Sequence, residues 1–321
     1  MPELPEILLY LHALAPRVVG TRLERVRLFT PFLLRTVEPP IEAAEGQRVV
    51  GLRRIGKRIV FALEQELFLV VHLMIAGRFQ WEDRVVALGE TGDVAASKPT
   101  KPARPGKPGG KIGLAEFVFE RGTLRLTEAG TKKRASLHVV LGEEGLRALD
   151  PGGIEPLEVD LATFRAALTR ENHTVKRVLT DPHVFSGIGN AYSDEILHRA
   201  RLSPFQWTSR LDDAELARLF AATQEVLREW IERLQTQSGK RFPSKVTAFR
   251  PEMAVHGRYG EPCPVCAAPV QRIVHAENES NYCARCQTGG KVLADRALSQ
   301  LLKDDWPRTI EEWEAIKKPR G

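Results

Sequence analysis

Apolar residues recur at helical spacing across residues 5–17, where Leu8, Leu11, Leu14 and Val18 share a face and Pro16 and Gly20 mark an end. The spacing predicts a helix at the start of the chain. From Arg22 onward the period shortens. Runs of Val, Ile, Leu and Phe at 23–28, 49–53, 58–63 and 67–73 are divided by turn residues such as Pro39-Pro40 and Gly56. Further runs at 117–119, 124–127 and 137–141 complete a strand-rich first domain, which predicts a β-sandwich. After a linker-like stretch from Asp150-Pro151-Gly152-Gly153 to Glu158 the pattern turns helical, at 164–168, 174–179, 191–200 and 213–234. The last of these carries Leu216, Leu219, Phe220, Thr223 and Leu227 on one face. Beyond Lys245 a short turn-rich module follows, and then a predicted helix over 292–302.

Residues 85–112 break this order. They lack apolar periodicity and are rich in Pro, Gly and cations, with Lys98, Lys101, Arg104, Lys107 and Lys111. The composition predicts a flexible basic insert tolerated on the surface; weak, non-specific contact with phosphates is the lesser alternative. The chain as a whole, 321 residues with 43% hydrophobic and 27% charged, is long enough for two or more cored domains. Its formal net charge of +6 permits a nucleic-acid partner without requiring one. No run reaches the ~18 apolar residues of a membrane span and no basic-then-apolar leader opens the chain, so the expected location is the cytoplasm and no membrane partner is expected.

Four cysteines change the picture more than the charge does. Cys263-Pro264-Val265-Cys266 and Cys283-Ala284-Arg285-Cys286 stand sixteen residues apart. Two such pairs place four soft ligands around a tetrahedral ion, and the spacing predicts one structural zinc. Between them, apolar residues from Val270 to His275 and Tyr282 flank a turn-like 277–280 stretch, which predicts a β-hairpin that would not hold without metal.

The opening Met1-Pro2-Glu3-Leu4-Pro5-Glu6 carries a second kind of chemistry. With Met1 removed, Pro2 is a free secondary amine beside a carboxylate. An α-amino group titrates at about 7.7–8.0, so a fraction is nucleophilic at neutral pH. Attack on an aldehyde-level carbon yields an iminium, an electron sink like a lysine Schiff base. Prolines and acids also suit the first turn of any helix. A third stretch, Phe185-Ser186-Gly187-Ile188-Gly189-Asn190, opens a helix with glycines that bare backbone N–H groups to an anion, Asn190 capping the helix or reaching a phosphate. A fourth, Arg53-Arg54-Ile55-Gly56-Lys57, is a charged run at a strand edge.

Pro2-Glu3-Leu4-Pro5-Glu6, Lys57, His72-Leu73-Met74-Ile75-Ala76-Gly77, Gly187-Ile188-Gly189-Asn190 and the two cysteine pairs together resemble the formamidopyrimidine-DNA glycosylase and endonuclease VIII family, in family order. The resemblance implies an α+β multidomain fold. Its parts are an N-terminal β-sandwich with an N-terminal helix, a helical helix–two-turn–helix domain and a C-terminal zinc-finger β-hairpin. The expected boundaries are 1–149, 150–250, 251–290 and an extension over 291–321. It further implies catalysis by Pro2, Glu3 and Lys57, and DNA contacts from Gly187, Gly189, Asn190, Met74, Ile75 and Arg134. The metal ligands are Cys263, Cys266, Cys283 and Cys286. The implied activity is a bifunctional DNA glycosylase and AP lyase, acting as a monomer on double-stranded DNA with damaged bases or abasic sites.

Three departures bear on substrate. Met74 stands in a glycine's place and Ile75 in the wedge methionine's. Thr131-Lys132-Lys133-Arg134-Ala135-Ser136 has no aromatic where the family fills the void of the flipped base with arginine and phenylalanine. Asn278 replaces the hairpin arginine, and no loop that closes over 8-oxoguanine is legible between Gly239 and Val255. The alternatives therefore stay open: an endonuclease VIII-like enzyme for oxidised pyrimidines or other adducts, or a non-catalytic damage-binding relative.

Overall fold

The computed structural model describes residues 1–84, 113–129, 132–243, 246–275, 278–294 and 307–317. The predicted basic insert at 85–112 lies outside them. The chain divides into two compact units: Tyr10–Leu149 with Met1 and Ser238–Val246, and Pro2–Leu9 with Asp150–Gln237 and Thr247–Gly321.

The first unit holds two four-stranded antiparallel sheets. Strands β1 (Leu23–Leu28), β6 (Gly113–Phe119), β7 (Gly122–Glu128) and β5 (Gly77–Asp83) form one, in the order β1-β6-β7-β5. Strands β2 (Val49–Ile55), β3 (Arg58–Leu63), β4 (Leu67–His72) and β8 (Ser136–Leu141) form the other, in the order β2-β3-β4-β8. β5 has no counterpart among the predicted strands, because its exposed end alternates poorly.

Period two turns Ile59, Phe61 and Leu63 of β3 inward. There Phe61 meets rings of the facing sheet, with centroids 6.4 Å from Phe117, 6.3 Å from Phe119 and 6.5 Å from Phe79. The opposite face of β3 and β4 is also apolar, with Val60, Phe68 and Val70 buried together with Leu146 of α2 (Gly142–Arg147). That is why β4 reads as an unbroken apolar run. The α2 segment is too short to leave a helical period in the sequence.

Helix α1 (Leu4–Val18) includes Pro16 inside its span rather than ending at it. Leu14 and Val18 of the predicted face are buried, but with them go Leu4, Ile7, Leu9 and Tyr10, whereas Leu8 and Leu11 are only half-buried, so the apolar face is partly turned from the predicted one. The second unit contains α3 (Leu161–Leu168), α4 (Val175–Thr180), α5 (Asn190–Ala200) and most of α6 (Asp213–Ser238). Asp160 caps α3 by accepting from Thr163 N–H at 2.8 Å. Phe164 packs on Phe185 and Phe220, at 4.8 and 5.4 Å between centroids, and Tyr192 sets its ring edge-on to Trp230 at 6.1 Å. In α6, Leu216, Leu219, Thr223 and Leu227 are buried as their spacing predicts.

The zinc-type module consists of β9 (Gln271–His275), β10 (Asn278–Tyr282) and α7 (Ala284–Thr288). Residues 278–280, read from sequence as part of a turn, belong to β10. Most of the helix expected over 292–302 falls outside the described residues; just before it Lys291 bridges Thr309 in antiparallel fashion, and Val292 N–H donates to Arg308 O at 3.0 Å. Residues 295–306 lie outside the described part. The following α8 (Ile310–Lys317) buries Ile310 in the same core as Val270, Ile273 and Tyr282. The extension thus enlarges a core too small to stand on its own.

Phe61→Ala should cost about 3–5 kcal/mol, the range for emptying a fully buried aromatic site. Urea unfolding followed by tryptophan fluorescence measures it, and a loss under about 1 kcal/mol would show that the two sheets do not depend on that ring.

Candidate active site and metal centre

The site is built from a helix start and the first residues of the chain. Gly187 holds φ +82°, and a Cβ there would lie 2.8 Å from Leu4 Cβ, so both backbone and space demand glycine. Its carbonyl accepts from Leu4 N–H at 2.9 Å. This close approach brings Glu3 to the first turn of α5. The Glu3 carboxylate, 3% exposed with its residue, accepts from Gly189 N–H at 2.7 Å, Ala191 N–H at 2.9 Å and Tyr192 N–H at 3.2 Å. The anion predicted for this helix start is therefore a side chain of the protein itself. Gly189, not Asn190, occupies the N-cap position, and no side chain caps the helix; Asn190 is its half-buried first residue.

Glu6, read from sequence only as a helix-start acid, is the second buried carboxyl group here. Fully buried, it accepts from Glu3 N–H at 3.0 Å and from the Tyr192 hydroxyl at 2.7 Å. It thereby holds the peptide that joins Pro2 to Glu3. Burial pushes Glu6 up to about 7, helped by the charge of Glu3 and opposed by the Tyr192 and Glu3 hydrogen bonds and by Arg250. Burial and the charge of Glu6 raise Tyr192 well above the usual phenol range, so it stays a donor. Near neutrality Glu6 is thus a carboxyl group that exchanges its proton while hydrogen-bonded to the Pro2–Glu3 peptide. The signal in the sequence was the repeat of Pro-Glu at 2–3 and 5–6, which sets the two acids one helical turn apart.

Further along α5, Asp194 and Glu195 are buried and fully engaged. Asp194 pairs with Lys176 and accepts from His256 Nδ1 at 2.8 Å and Asn281 N–H at 3.1 Å. Glu195 accepts from the backbone N–H groups of Ala254, Val255 and His256 at 2.7–2.9 Å. Neither was singled out from sequence, because a pair of acids inside a helix usually faces water.

Lys57, Met74, Ile75 and Arg134 belong to the other compact unit. Lys57 is half-buried in the turn between β2 and β3, next to Gly56 at φ +53°. In the loop after β4, Met74 takes a left-handed φ of +53° and Ile75 is 55% exposed. The loop closes through Gly77 N–H on Leu73 O at 2.9 Å, where a Cβ would lie 2.2 Å from that oxygen. Arg134 is exposed, and its backbone N–H is held at 3.0 Å by the buried Glu128 carboxylate. Asn278 opens β10 opposite His275.

The four cysteine sulfurs lie within 4.8 Å of one another, and none forms a disulfide. The Cys263–Cys286 and Cys266–Cys283 separations are 3.9 and 3.3 Å. Bonds of about 2.3 Å to a tetrahedral zinc set its corners about 3.8 Å apart, so the cluster fits that ion. Burial pushes the Cys286 thiol up to about 12 and raises Cys283 as well, so only a bound cation would keep them as thiolates at neutral pH. His198, at the far end of α5, sets Nε2 3.3 Å from Cys263 Sγ. The His198–Cys263 contact is the kind of outer-shell hydrogen bond that orients a metal ligand.

Residues 1–133 match the model of the formamidopyrimidine-DNA glycosylase N-terminal domain, 153–241 that of its H2TH domain, and 260–289 that of a zinc finger found in FPG and IleRS. A formamidopyrimidine-DNA glycosylase of Thermus thermophilus is 33% identical over 303 residues, covering 90% of this chain and 100% of the relative. The chain belongs to the formamidopyrimidine-DNA glycosylase family. With that membership goes the family's glycosylase and AP-lyase activity. The crystal structure of the MutM (Fpg) protein from Thermus thermophilus superposes with a TM-score of 0.70 at 31% identity, over 89% of this chain and 98% of that one. A Lactococcus lactis Fpg in complex with abasic-site DNA shares the fold, with a TM-score of 0.72 at 24% identity over 89% and 99%.

Two measurements check this site. A folded pKa near 7 against an ordinary 4.5 means that Glu6 stabilises the fold fully below pH 4.5 and loses that contribution as pH rises through 7. The decline amounts to roughly 3 kcal/mol. Stability measured by urea unfolding from pH 4.5 to 8 should lose this part of its slope in Glu6→Gln, and identical slopes would refute the shift. Separately, the protein should carry one zinc per chain by elemental analysis. Cys263→Ser should lose the metal together with binding to abasic DNA; a metal-free protein that binds normally would overturn a structural role.

Proposed function

We propose that the chain is a base-excision repair enzyme that flips a damaged nucleotide from double-stranded DNA, removes its base through Pro2 and nicks the strand. The observation that carries the reading is the pair of buried carboxyl groups, Glu3 and Glu6, built around the peptide that follows Pro2. Eversion costs a few kcal/mol of unstacking, least at a damaged base. With Met1 removed, the Pro2 nitrogen lone pair bonds to C1′ as the C1′–base bond breaks and its electrons leave with the base. Glu3 acts as acid at the sugar ring oxygen, whose bond to C1′ opens to give the iminium. Loss of the C2′ proton then expels the 3′ phosphate by β-elimination, and water releases the enzyme. Lys57 and Asn190 hold phosphates, Gly187 and Gly189 shape the turn behind Asn190, and Met74, Ile75 and Arg134 fill the void left by the nucleotide.

On this reading 1–149 is the catalytic domain, 150–250 the DNA-binding helical domain and 251–290 the zinc finger, with a C-terminal extension over 291–321. The work is cytoplasmic; no helix among the described residues is long and apolar enough to cross a membrane. The exposed Ile75 and the absence of an aromatic beside Arg134 favour oxidised pyrimidines or other adducts as a second substrate class.

Borohydride should trap the protein covalently on abasic DNA. Pro2→Ala keeps a primary amine, so trapping should persist but slow by about tenfold or more, the effect of ~1.4 kcal/mol in the transition state. An undiminished trapping rate in Pro2→Ala, or behind an uncleaved tag, would sink the proline assignment.

A further inference from the structure

Arg250 stands out among the described cations of the second unit because it is partly buried and unmatched. Lys176 is consumed by Asp194, and Arg258 by Glu261 and the carbonyl of Pro251. Arg250 makes no ion pair among the described residues, and its Nε–H is buried with no acceptor. An arginine donor left so bears the desolvation of the group without any return, unless an anion arrives from outside the chain. Its position is well anchored. Arg250 O accepts from Met253 N–H at 3.2 Å, and the next three N–H groups, from Ala254 to His256, are pinned by Glu195 on α5.

The surroundings say what kind of anion. Arg250 lines an open cleft of about 500 Å³ with the Arg258–Glu261 pair and with Phe249, a residue 61% exposed. The field of Arg250 reaches both Glu6 and the Tyr192 hydroxyl, acting against the burial of each. Glu6 in turn holds the peptide after Pro2. An unpaired guanidinium on an open cleft, beside an exposed aromatic face and within electrostatic reach of the carboxyl group that holds the Pro2–Glu3 peptide, matches a phosphodiester flanking the reacting sugar. At the start of α5 the N–H groups of Gly189, Ala191 and Tyr192 are not available for that task, since Glu3 occupies them.

We propose that Arg250 binds a phosphate of the nucleotide that reacts at Pro2, its fork of N–H donors completed by that anion when lesion-bearing DNA is bound. This rests on the function proposed above.

Fluorescence anisotropy from 50 to 200 mM salt, on a duplex with a tetrahydrofuran abasic analogue and on the undamaged duplex, tests it in full-length protein. Arg250→Gln should weaken analogue binding about tenfold, the effect of one charged hydrogen-bonding contact. It should also lower the slope of log K against log salt by about 0.9, the value for one phosphate. Arg250→Lys should keep the slope. The undamaged duplex should respond less than twofold, about the scatter of such contacts. Equal zinc content and circular dichroism show that the variants are folded. An unchanged slope in Arg250→Gln, or an equal loss on both duplexes, overturns the proposal. So does a shifted pH profile at constant slope, which would make Arg250 a counter-charge to Glu6 only. Borohydride trapping of the wild-type protein separates the two claims. If wild type traps and Arg250→Gln binds as it does, only the role of Arg250 falls; if wild type neither traps nor prefers the analogue, both fall.

Discussion

The second unit depends on one interaction: the Glu3 carboxylate sits on the first turn of α5. A helix start leaves N–H groups without intrahelical acceptors, and a carboxylate placed there meets both their hydrogen-bonding need and the positive end of the helix dipole. Three of those donors take Glu3. In the same contact, the chain's second residue is set at a defined place rather than left as a fraying end. Gly187 makes this approach possible, since any side chain there would strike Leu4.

From that anchor α5 distributes order along its length. Asp194 and Glu195, in its second turn, hold the hairpin residue Asn281 and the 254–256 backbone. His198, in its third turn, reaches Cys263 of the metal cluster. A single buried helix thus ties the amino-terminal residues to the cysteine module, with Asp194 and His198 four residues apart, a separation that returns to one face. The pairing of each buried charge is what makes such a polar core tolerable. Substitutions along α5 are accordingly expected to act on the placement of Pro2 and on the cysteine cluster together.

Glu6 and Arg250 show a different economy. Both are charged groups whose needs are incompletely met inside the fold. Burial leaves Glu6 near 7, poised to give or take a proton at working pH, while Arg250 keeps a buried donor without an acceptor. Groups of this kind are unfavourable for stability and are found where chemistry or binding completes them.

Much of this was legible along the chain. The strands at 23–28 and 58–63, the helices of the second unit, the cysteine spacing and the Gly-Ile-Gly-Asn turn all depend on neighbours within a few residues, and local periodicity records them. Pro2-Glu3 at the start likewise pointed to amine and acid chemistry. What the sequence could not decide were properties set by groups far apart in it. The buried face of α1 centres on Ile7 and Tyr10 rather than Leu8 and Leu11, because what packs on it comes from elsewhere in the chain. The anion at the α5 start is Glu3, 186 positions away from Gly189. The extension after Cys286 enters the metal module's core through Val292 and Ile310. The proton held on Glu6 is likewise a matter of burial. Desolvation, closeness of charges and the filling of a core are fixed by packing between remote segments, and no local pattern carries them.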